Sequence, residues 1–305
     1  MPIILFQMDP LEQVNKETDS TYLLALESLK RGYRSMYCNP TEVSINQNEL
    51  IVEVSDLELK NNKIQIKYNS KRIMSVSNFD VVLIRQDPPF NMEYIIATHI
   101  LDAIKTKVKI INDPTSIRNV SEKLYSVKYQ KFMPSTIFSQ NISEIKKFFR
   151  KHKKVILKPI NSFSGNNIYL LSKFNLKLVK KIIKKHDHIM CQKFLPNISK
   201  GDKRVFIING SVCGAISRVP IPGSFLSNMS KGAKPINIKL TKTEKKISKL
   251  IANDLKKEKI FFAGIDFIDQ KLNGDINVTS PTGLKTLFDL SGENLAKIFW
   301  EKLKA

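Results

Sequence analysis

Three oxygen-bearing side chains near the C-terminal end of this chain have the types and spacing of a divalent-cation site. They are Asp266, Asp275 and Asn277, carried by Gly264-Ile265-Asp266-Phe267-Ile268 and by Asp275-Ile276-Asn277-Val278-Thr279-Ser280-Pro281-Thr282. Both stretches read as apolar strands. Side chains alternate along a strand, so Asp275 and Asn277 share one face. Asp266 follows the run Ile260-Phe261-Phe262-Ala263-Gly264-Ile265, which reads as buried. An unpaired carboxylate there would be costly. Two carboxylates and an amide oxygen on rigid strands are the hard ligands that Mg²⁺ takes beside substrate phosphates. The same periodicity also describes a hairpin with a polar outer face.

A set of cations accompanies these acids. Lys158 ends an apolar strand, just before the turn-rich segment Asn161-Ser162-Phe163-Ser164-Gly165-Asn166-Asn167. Lysine is a point charge suited to phosphate. Lys123 is expected on a helix that follows the first sheet domain. Arg204 opens a strand beside Asp202, and Arg218 closes its partner across the hairpin signal Asn209-Gly210. The two arginines are therefore expected near opposite ends of one hairpin mouth. Singly, each cation reads as a solvated charge. Together with Asp266, Asp275 and Asn277 they describe a cationic site around a metal, which is what phosphoryl transfer needs. A Gly-x-x-x-x-Gly-Lys phosphate loop is absent, which argues against a P-loop enzyme. Arg85 and Asp87 leave a strand end into Pro88-Pro89, where a rigid loop could clamp an anion. His186-Asp187-His188 with Cys191 fits no zinc spacing and reads as a helix end leading into a strand.

The elements that must position these groups fall into two styles. Strands over 2–8, 80–84 and 109–112 alternate with helical patterns over 18–31 and 92–105, the signature of an open α/β sheet with ligand groups at strand ends. After Asp113-Pro114 the runs are mixed. Strands are expected over 155–159, 168–171, 188–194, 205–208 and 211–219, with helices over 174–185, 241–258 and 291–303. Residues 220–235 read as a long loop of the kind that forms lids. No internal repeat is present.

The 305 residues suffice for two or three domains or subdomains, and 42% hydrophobic content marks a globular chain. Fifty Lys and Arg against 28 Asp and Glu give a net charge of +22, which first suggests a polyanionic partner. Only eight of the cations are arginine, the usual reader of bases, and the lysines scatter over helix faces such as Leu176–Lys185. Nucleotides and anionic metabolites are the expected anions, with no nucleic-acid and no membrane partner. Three distant cysteines make no disulfide framework and suit a reducing cytoplasm. The apolar start, Met1 to Met8, is too short for a signal peptide.

The ordered motifs Met8-Asp9-Pro10, Arg85-x-Asp87-Pro88-Pro89-Phe90, Glu122-Lys123-Leu124, Leu157-Lys158-Pro159, Gly201-Asp202-Lys203-Arg204-Val205, Arg218-Val219-Pro220 and Ile276-Asn277-Val278-Thr279-Ser280-Pro281-Thr282 resemble prokaryotic glutathione synthetase, an ATP-grasp ligase family. The resemblance covers nearly the whole chain. It implies an N-terminal open α/β domain over 1–120, then a two-subdomain ATP-grasp fold over 121–190 and 191–305. It implies that Lys123 and Lys158 hold the phosphates of ATP, that Gln192, Lys193, Phe194 and Leu195 border adenine, and that Asp202 lies near the ribose. Asp266, Asp275 and Asn277 would bind Mg²⁺ or Mn²⁺. The γ-phosphate would pass to the carboxylate of γ-glutamylcysteine, and the amine of glycine would displace phosphate from the acyl phosphate. Arg204 would steady the charge that develops. Arg218, Ser280, Thr282, Asn277 and Arg85 would face the peptide. A homo-oligomer is implied as well. The chain departs from the family where Ser162 and Ser164 replace flap glycines, where Leu226 stands in place of an Arg, and where Asp275 replaces a Glu. One residue is inserted near Asn273-Gly274, from which a wide loop with ends near Asp269 and Gly274 is expected. Other readings are a ligase for a different carboxylate–amine pair and a degenerate ATP-binding module.

Overall fold

Short apolar runs bounded by turn residues become the central strands of three sheets. The computed structural model describes residues 1–47 and 49–304. In the first sheet, Arg34–Cys38, Ile3–Gln7, Val81–Ile84 and Lys109–Ile111 run parallel in that spatial order. Ile4 and Phe6 face one core and Leu5 faces another, so the strand is buried on both sides, as a parallel strand must be. The helix Ser20–Lys30 starts where Asp19 accepts from Tyr22 N, and Met92–Asp102 starts where Asn91 accepts from Tyr94 N. Each cap satisfies a backbone donor that the first turn leaves free. An antiparallel extension of Val43–Asn46, Glu49–Lys60, Lys63–Ile66 and Arg72–Ser75 continues this sheet past Arg34–Cys38.

The second sheet is antiparallel, in the order Tyr169–Leu171, Val155–Pro159, Ile189–Lys193, Thr136–Ser139. The helices Ile142–His152 and Leu176–His186 cover one face, where Val155 and Leu157 join Ile145, Phe148, Val179 and Ile182. The alternate residues Ile156 and Lys158 must then face the other way. The third sheet is also antiparallel, in the order Lys234–Asn237, Ser211–Val219, Asp202–Ile208, Phe262–Ile268, Lys271–Asn277. On one face Val205, Ile207, Ala263, Ile265 and Phe267 pack against the helix Lys242–Lys257 and against Tyr125, Tyr129 and Met133. The other face divides along its length. Phe206, Ile208 and Phe262 pack against the helices Leu284–Ser291, Leu295–Leu303 and Ser20–Lys30, and so share one core with the first sheet. Asp202, Arg204, Arg218 and Asp266 occupy the other end of that face.

Asn112 fixes the seam between the first and third sheets. Its Nδ2 donates to the carbonyls of Phe262 (2.8 Å) and Val278 (2.7 Å), and its Oδ1 accepts from Phe261 N and Phe262 N (2.8 Å each). This buried amide spends both ends on backbone at the start of the site-bearing strand. No helix among the described residues is long and apolar enough to cross a membrane.

Several details differ from the sequence expectations. Lys123 lies in a turn before the 3-10 helical segment Leu124–Phe132, not on an α-helix, and Tyr129 breaks that segment with non-helical dihedrals. Residues 220–235 are not all loop, because Lys234–Asn237 adds a fifth strand to the third sheet. The C-terminal helix expected over 291–303 begins at Leu295, and a separate helix, Leu284–Ser291, precedes it. The boundary expected at 190 falls inside the strand Ile189–Lys193.

Candidate active site

A cavity of about 620 Å³ opens where the three sheets meet. The second sheet contributes Ile156, Lys158 and Gln192, the third contributes Asp202, Arg204, Arg218 and Asp266, and Asp19 and Asp87 reach it from the first. Every residue singled out above for a site lines it except Arg85. Arg85 lines an adjoining hollow of about 150 Å³ with Asp9, Asp19, Thr21 and Asp87. Its Nε donates to Thr21 Oγ1 at 2.9 Å, and burial pulls its pKa below the usual guanidinium value.

On the third sheet the acids and arginines form one continuous network. The register pairs Asp202 with Arg218 and Arg204 with Asp266 across neighbouring strands. Arg218 grips Asp202 with two bonds, Nε to Oδ1 at 2.7 Å and Nη2 to Oδ2 at 2.6 Å. Arg204 grips Asp266 in the same forked way, at 2.5 and 2.8 Å, and Arg218 Nη2 adds a third contact to Asp266 Oδ2 at 2.9 Å. Arg204 and Arg218 are thus diagonal neighbours that meet on one carboxylate, and do not sit at opposite ends of the hairpin mouth. All four side chains are less than a tenth exposed. Burial alone would raise the pKa of Asp266, but the two guanidinium groups overcome it and hold the carboxyl well below the usual range. Gly264 makes room for this packing, since a Cβ there would lie 2.8 Å from Arg204 Cδ.

The second cluster joins sheet two to the last strand. Lys158 Nζ bonds Asp275 Oδ2 at 3.0 Å, and Lys123 Nζ approaches Asp275 Oδ1 at 3.6 Å. Lys123 also donates to the carbonyl of Ser162 at 2.6 Å, and Ile276 N donates to the carbonyl of Glu122 at 2.9 Å. The turn that carries Lys123 is thereby pinned to both the flap and the metal-candidate strand. Burial would raise the pKa of Asp275, but Lys158 and then Lys123 outweigh it and lower it. Burial would lower that of Lys123, and Glu122 with Asp275 raise it instead.

The turn between the two acid-bearing strands is tight. Ile268 pairs with Lys271 around Asp269-Gln270, both at positive φ (48° and 60°), and the expected wide loop is absent. The additional length is absorbed as a register shift opposite Asp266, where Gly274 takes φ +87°. Pairing then resumes as Ile265 with Ile276 and Gly264 with Asn277, so Asp266, Asp275 and Asn277 stay on the cavity side. Among the described residues no three His, Cys, Asp or Glu side chains are grouped to hold a metal. Two carboxylates and an amide oxygen nevertheless suit Mg²⁺, which completes its shell with water and substrate phosphate.

Two loops border the cavity and touch one another. Ser164 and Gly165 in the flap have φ of +51° and +72°. A Cβ on Gly165 would lie 2.3 Å from Asn228 Oδ1, and Lys231 Nζ bonds Asn166 Oδ1 at 2.9 Å. Leu226 and Ser227 line the cavity beside Asn228. Gln192, Lys193, Phe194 and Leu195 form its edge, where Gln192 Nε2 donates to Thr136 Oγ1 at 3.0 Å. Thr282 faces the cavity, while Ser280 Oγ already donates to the Gln86 carbonyl at 2.7 Å. Asn277 Oδ1 accepts from Thr279 Oγ1 at 3.3 Å. Sequence reasoning missed Asn228 and Asn273. The departing loop Leu226-Ser227-Asn228 and the insertion at Asn273-Gly274 were the signals that marked them, and neither residue was given a role.

The profile described as "Prokaryotic glutathione synthetase, ATP-grasp domain" matches residues 122–292, and that described as "Prokaryotic glutathione synthetase, N-terminal domain" matches 3–118. The chain belongs to the prokaryotic glutathione synthetase family. It is an ATP-dependent ligase of glutathione synthesis on an ATP-grasp fold. Glutathione synthetase of Bradyrhizobium diazoefficiens is 33% identical over 306 residues, covering 99% of this chain and 97% of its own. That of Prochlorococcus marinus subsp. pastoris is 33% identical over 304 residues, covering 98% of each. Among solved structures, a Chryseobacterium gregarium RiPP-associated ATP-grasp ligase, in complex with ADP and a leader and core peptide, superposes with a TM-score of 0.67 at 16% identity, over 100% of this chain and 98% of that one. The ATP-grasp ligase PsnB, complexed with a phosphomimetic variant of its minimal precursor, Mg and ADP, gives 0.64 at 12% identity, over 98% of each. At these identities the likeness concerns the fold.

Proposed function

We propose that the chain joins γ-glutamylcysteine to glycine through an acyl phosphate, releasing ADP and phosphate, with its parts divided at about residue 120 and again beyond the strand Ile189–Lys193. The observation that carries this reading is the convergence of Lys123, Lys158, Arg204 and Arg218 on Asp266 and Asp275 in one cavity.

In this reading Lys123 and Lys158 take the phosphates of ATP, while Gln192, Lys193, Phe194 and Leu195 border adenine and Asp202 lies near the ribose. Asp266, Asp275 and Asn277 would hold Mg²⁺, or Mn²⁺ in its place. When bound, the ion would neutralise charge on the transferring phosphoryl group. Asp266 spends three of its four or so acceptor positions on Arg204 and Arg218. To act as a ligand it must loosen at least one of these bonds. Arg204, released in part, can then turn to the acyl phosphate oxygens, where a forked guanidinium suits a charged tetrahedral centre. Arg218 keeps Asp202 as its partner, so it stays in place and presents charge to the peptide with Thr282 and Ser280. Arg85 completes the substrate side from the first sheet, its guanidinium held over the Phe262 ring at 5.4 Å. A homo-oligomeric assembly and a cytoplasmic location belong to the same proposal.

The test supplies ATP, γ-glutamylcysteine, glycine and Mg²⁺ to the purified chain, and follows ADP release together with product mass. Glutathione formed in step with ADP is the expected result. ADP release with another amine or carboxylate, and none with this pair, overturns the substrate assignment. Nucleotide binding without turnover on any pair overturns the catalytic one.

A further inference from the structure

Asn273 lies on the strand Lys271–Asn277 with its side chain in the cavity, and the roles given above leave it unused. An ammonium group has three protons to donate. Lys158 Nζ has three acceptors here: the Asn273 carbonyl (3.0 Å), Asn273 Oδ1 (3.0 Å) and Asp275 Oδ2 (3.0 Å). The other end of the same amide donates from Nδ2 to Asp275 Oδ2 at 3.2 Å. One planar group therefore touches both the lysine proposed for phosphate and the carboxylate proposed for the metal.

The irregular register makes this contact possible. Phe267 pairs with Leu272 and Ile265 with Ile276, so three residues, Asn273 to Asp275, stand opposite Asp266 alone. Both Asn273 and Asp275 reach the cavity across that step. Gly274 between them has φ +87°, and a Cβ on it would lie 2.3 Å from Met190 Cε and 2.9 Å from Met133 Cε. A side chain at 274 would strain the backbone and push the bulge off the buried methionines.

We infer that Asn273 is a positioning residue of the nucleotide site, an inference that rests on the reading above: its two oxygens hold the Lys158 ammonium in place while Asp275 exchanges that lysine for another partner. Lys158 is 4% exposed. Without the Asn273 side chain, the departure of Asp275 would leave the buried ammonium with one backbone carbonyl as its partner, which is expensive. With Asn273 in place, two of three bonds persist and only one proton turns to a phosphate oxygen.

Asn273→Leu tests this, because it keeps the branched shape and the backbone carbonyl while removing Oδ1 and Nδ2. ADP binding is measured by titration in EDTA, alongside steady-state kinetics and thermal melting. The expected result is an ADP affinity weaker by about tenfold without metal. KM for ATP should rise by a similar factor, with kcat changed by less than about twofold. Melting should stay within about 3 °C of the parent. A residue that only fills space would leave both binding constants unmoved, and that outcome overturns the inference. Gly274→Ala should give the same binding signature by displacing the bulge. If Asn273→Leu does not fold, Asn273→Ala is read against the same criteria. A parent chain that binds ADP neither in EDTA nor with Mg²⁺ removes the nucleotide reading itself, which is a different failure from a Leu variant that binds as the parent does.

Discussion

Asp266→Asn should destabilise the fold before any question of catalysis arises. Three bonds tie this carboxylate to Arg204 and Arg218, at 2.5, 2.8 and 2.9 Å. At an effective dielectric of about 20, charges about 3 Å apart attract by roughly 5 kcal/mol per pair. The desolvation cost of both arginines has already been met in folding, so the amide leaves them buried with one carboxylate, Asp202, between them. Removing one partner of a buried pair costs about 3–5 kcal/mol. At roughly 2–4 °C per kcal/mol, the midpoint should fall by roughly 10 °C. Thermal unfolding followed by circular dichroism near neutral pH measures this. The double variant Arg204→Leu/Asp266→Leu supplies the control, because Arg218 and Asp202 then remain a neutral pair. It should recover at least half of the loss, whereas independent sites would add their costs. An Asn variant that melts within about 2 °C of the parent, or a double variant no better than the single, would refute the account of this network as a charge-balanced unit.

Lys158→Ala removes a charge-assisted contact worth about 1.5–3 kcal/mol, so KM for ATP in the ADP-release assay should rise roughly 10- to 100-fold. An unchanged KM would count against a phosphate role. Gly165→Ala places a Cβ 2.3 Å from Asn228 Oδ1 at a φ of +72°. At a cost of about 1–2 kcal/mol it should raise KM for ATP about 5- to 30-fold, and adding Asn228→Ala should recover part of the loss by removing the clash. The folded pKa of Asp266 is depressed, so its stabilising contribution is complete above the unfolded carboxylate value of about 3.9 and disappears as pH falls below it. Urea unfolding across a pH series should therefore show parent stability dropping below about pH 4, with a shallower drop in Asp266→Asn.

What could be read from the residues was what local signals determine. The parallel strands Ile3–Gln7, apolar up to its final Gln7, and Val81–Ile84, apolar throughout, are short apolar runs, and Asn209-Gly210 marks its hairpin because both residues must take positive φ (48° and 72°). The antiparallel extension was illegible for the converse reason. Glu49–Lys60 mixes buried valines with charged residues, and its partners lie up to 24 positions away in Arg72–Ser75. The turn at Asp269-Gln270 carries no glycine, whereas Asn273-Gly274 has the composition of a turn and is a bulge. Composition favoured the wrong site because a bulge and a hairpin turn call for the same left-handed backbone. The site residues themselves were legible as types. Their pairing was not, since the match of Arg218 with both Asp202 and Asp266 depends on the register of three strands.

That pairing changes how the chain's charge bears on its chemistry. The surplus of +22 lies largely outside the cavity, for instance on exposed Lys147, Lys151, Lys177 and Lys181 of the two helices that cover the second sheet. In its two ion-paired clusters, Lys123, Lys158, Arg204 and Arg218 stand against Glu122, Asp202, Asp266 and Asp275, four cations against four carboxylates, and Lys193, Asp19 and Asp87 line the cavity outside those clusters. A buried set so balanced has no free charge to attract an anion by itself, and each contact with a ligand must replace one already made. A bare nucleotide would bring its phosphates against Asp266 and Asp275 as well as against the lysines. In the proposed function, ligation would therefore favour a nucleotide whose charge is itself neutralised, and the residues that would change partner, Asp275 from Lys158 and Asp266 from Arg204, are those whose release would turn a cation toward the substrate.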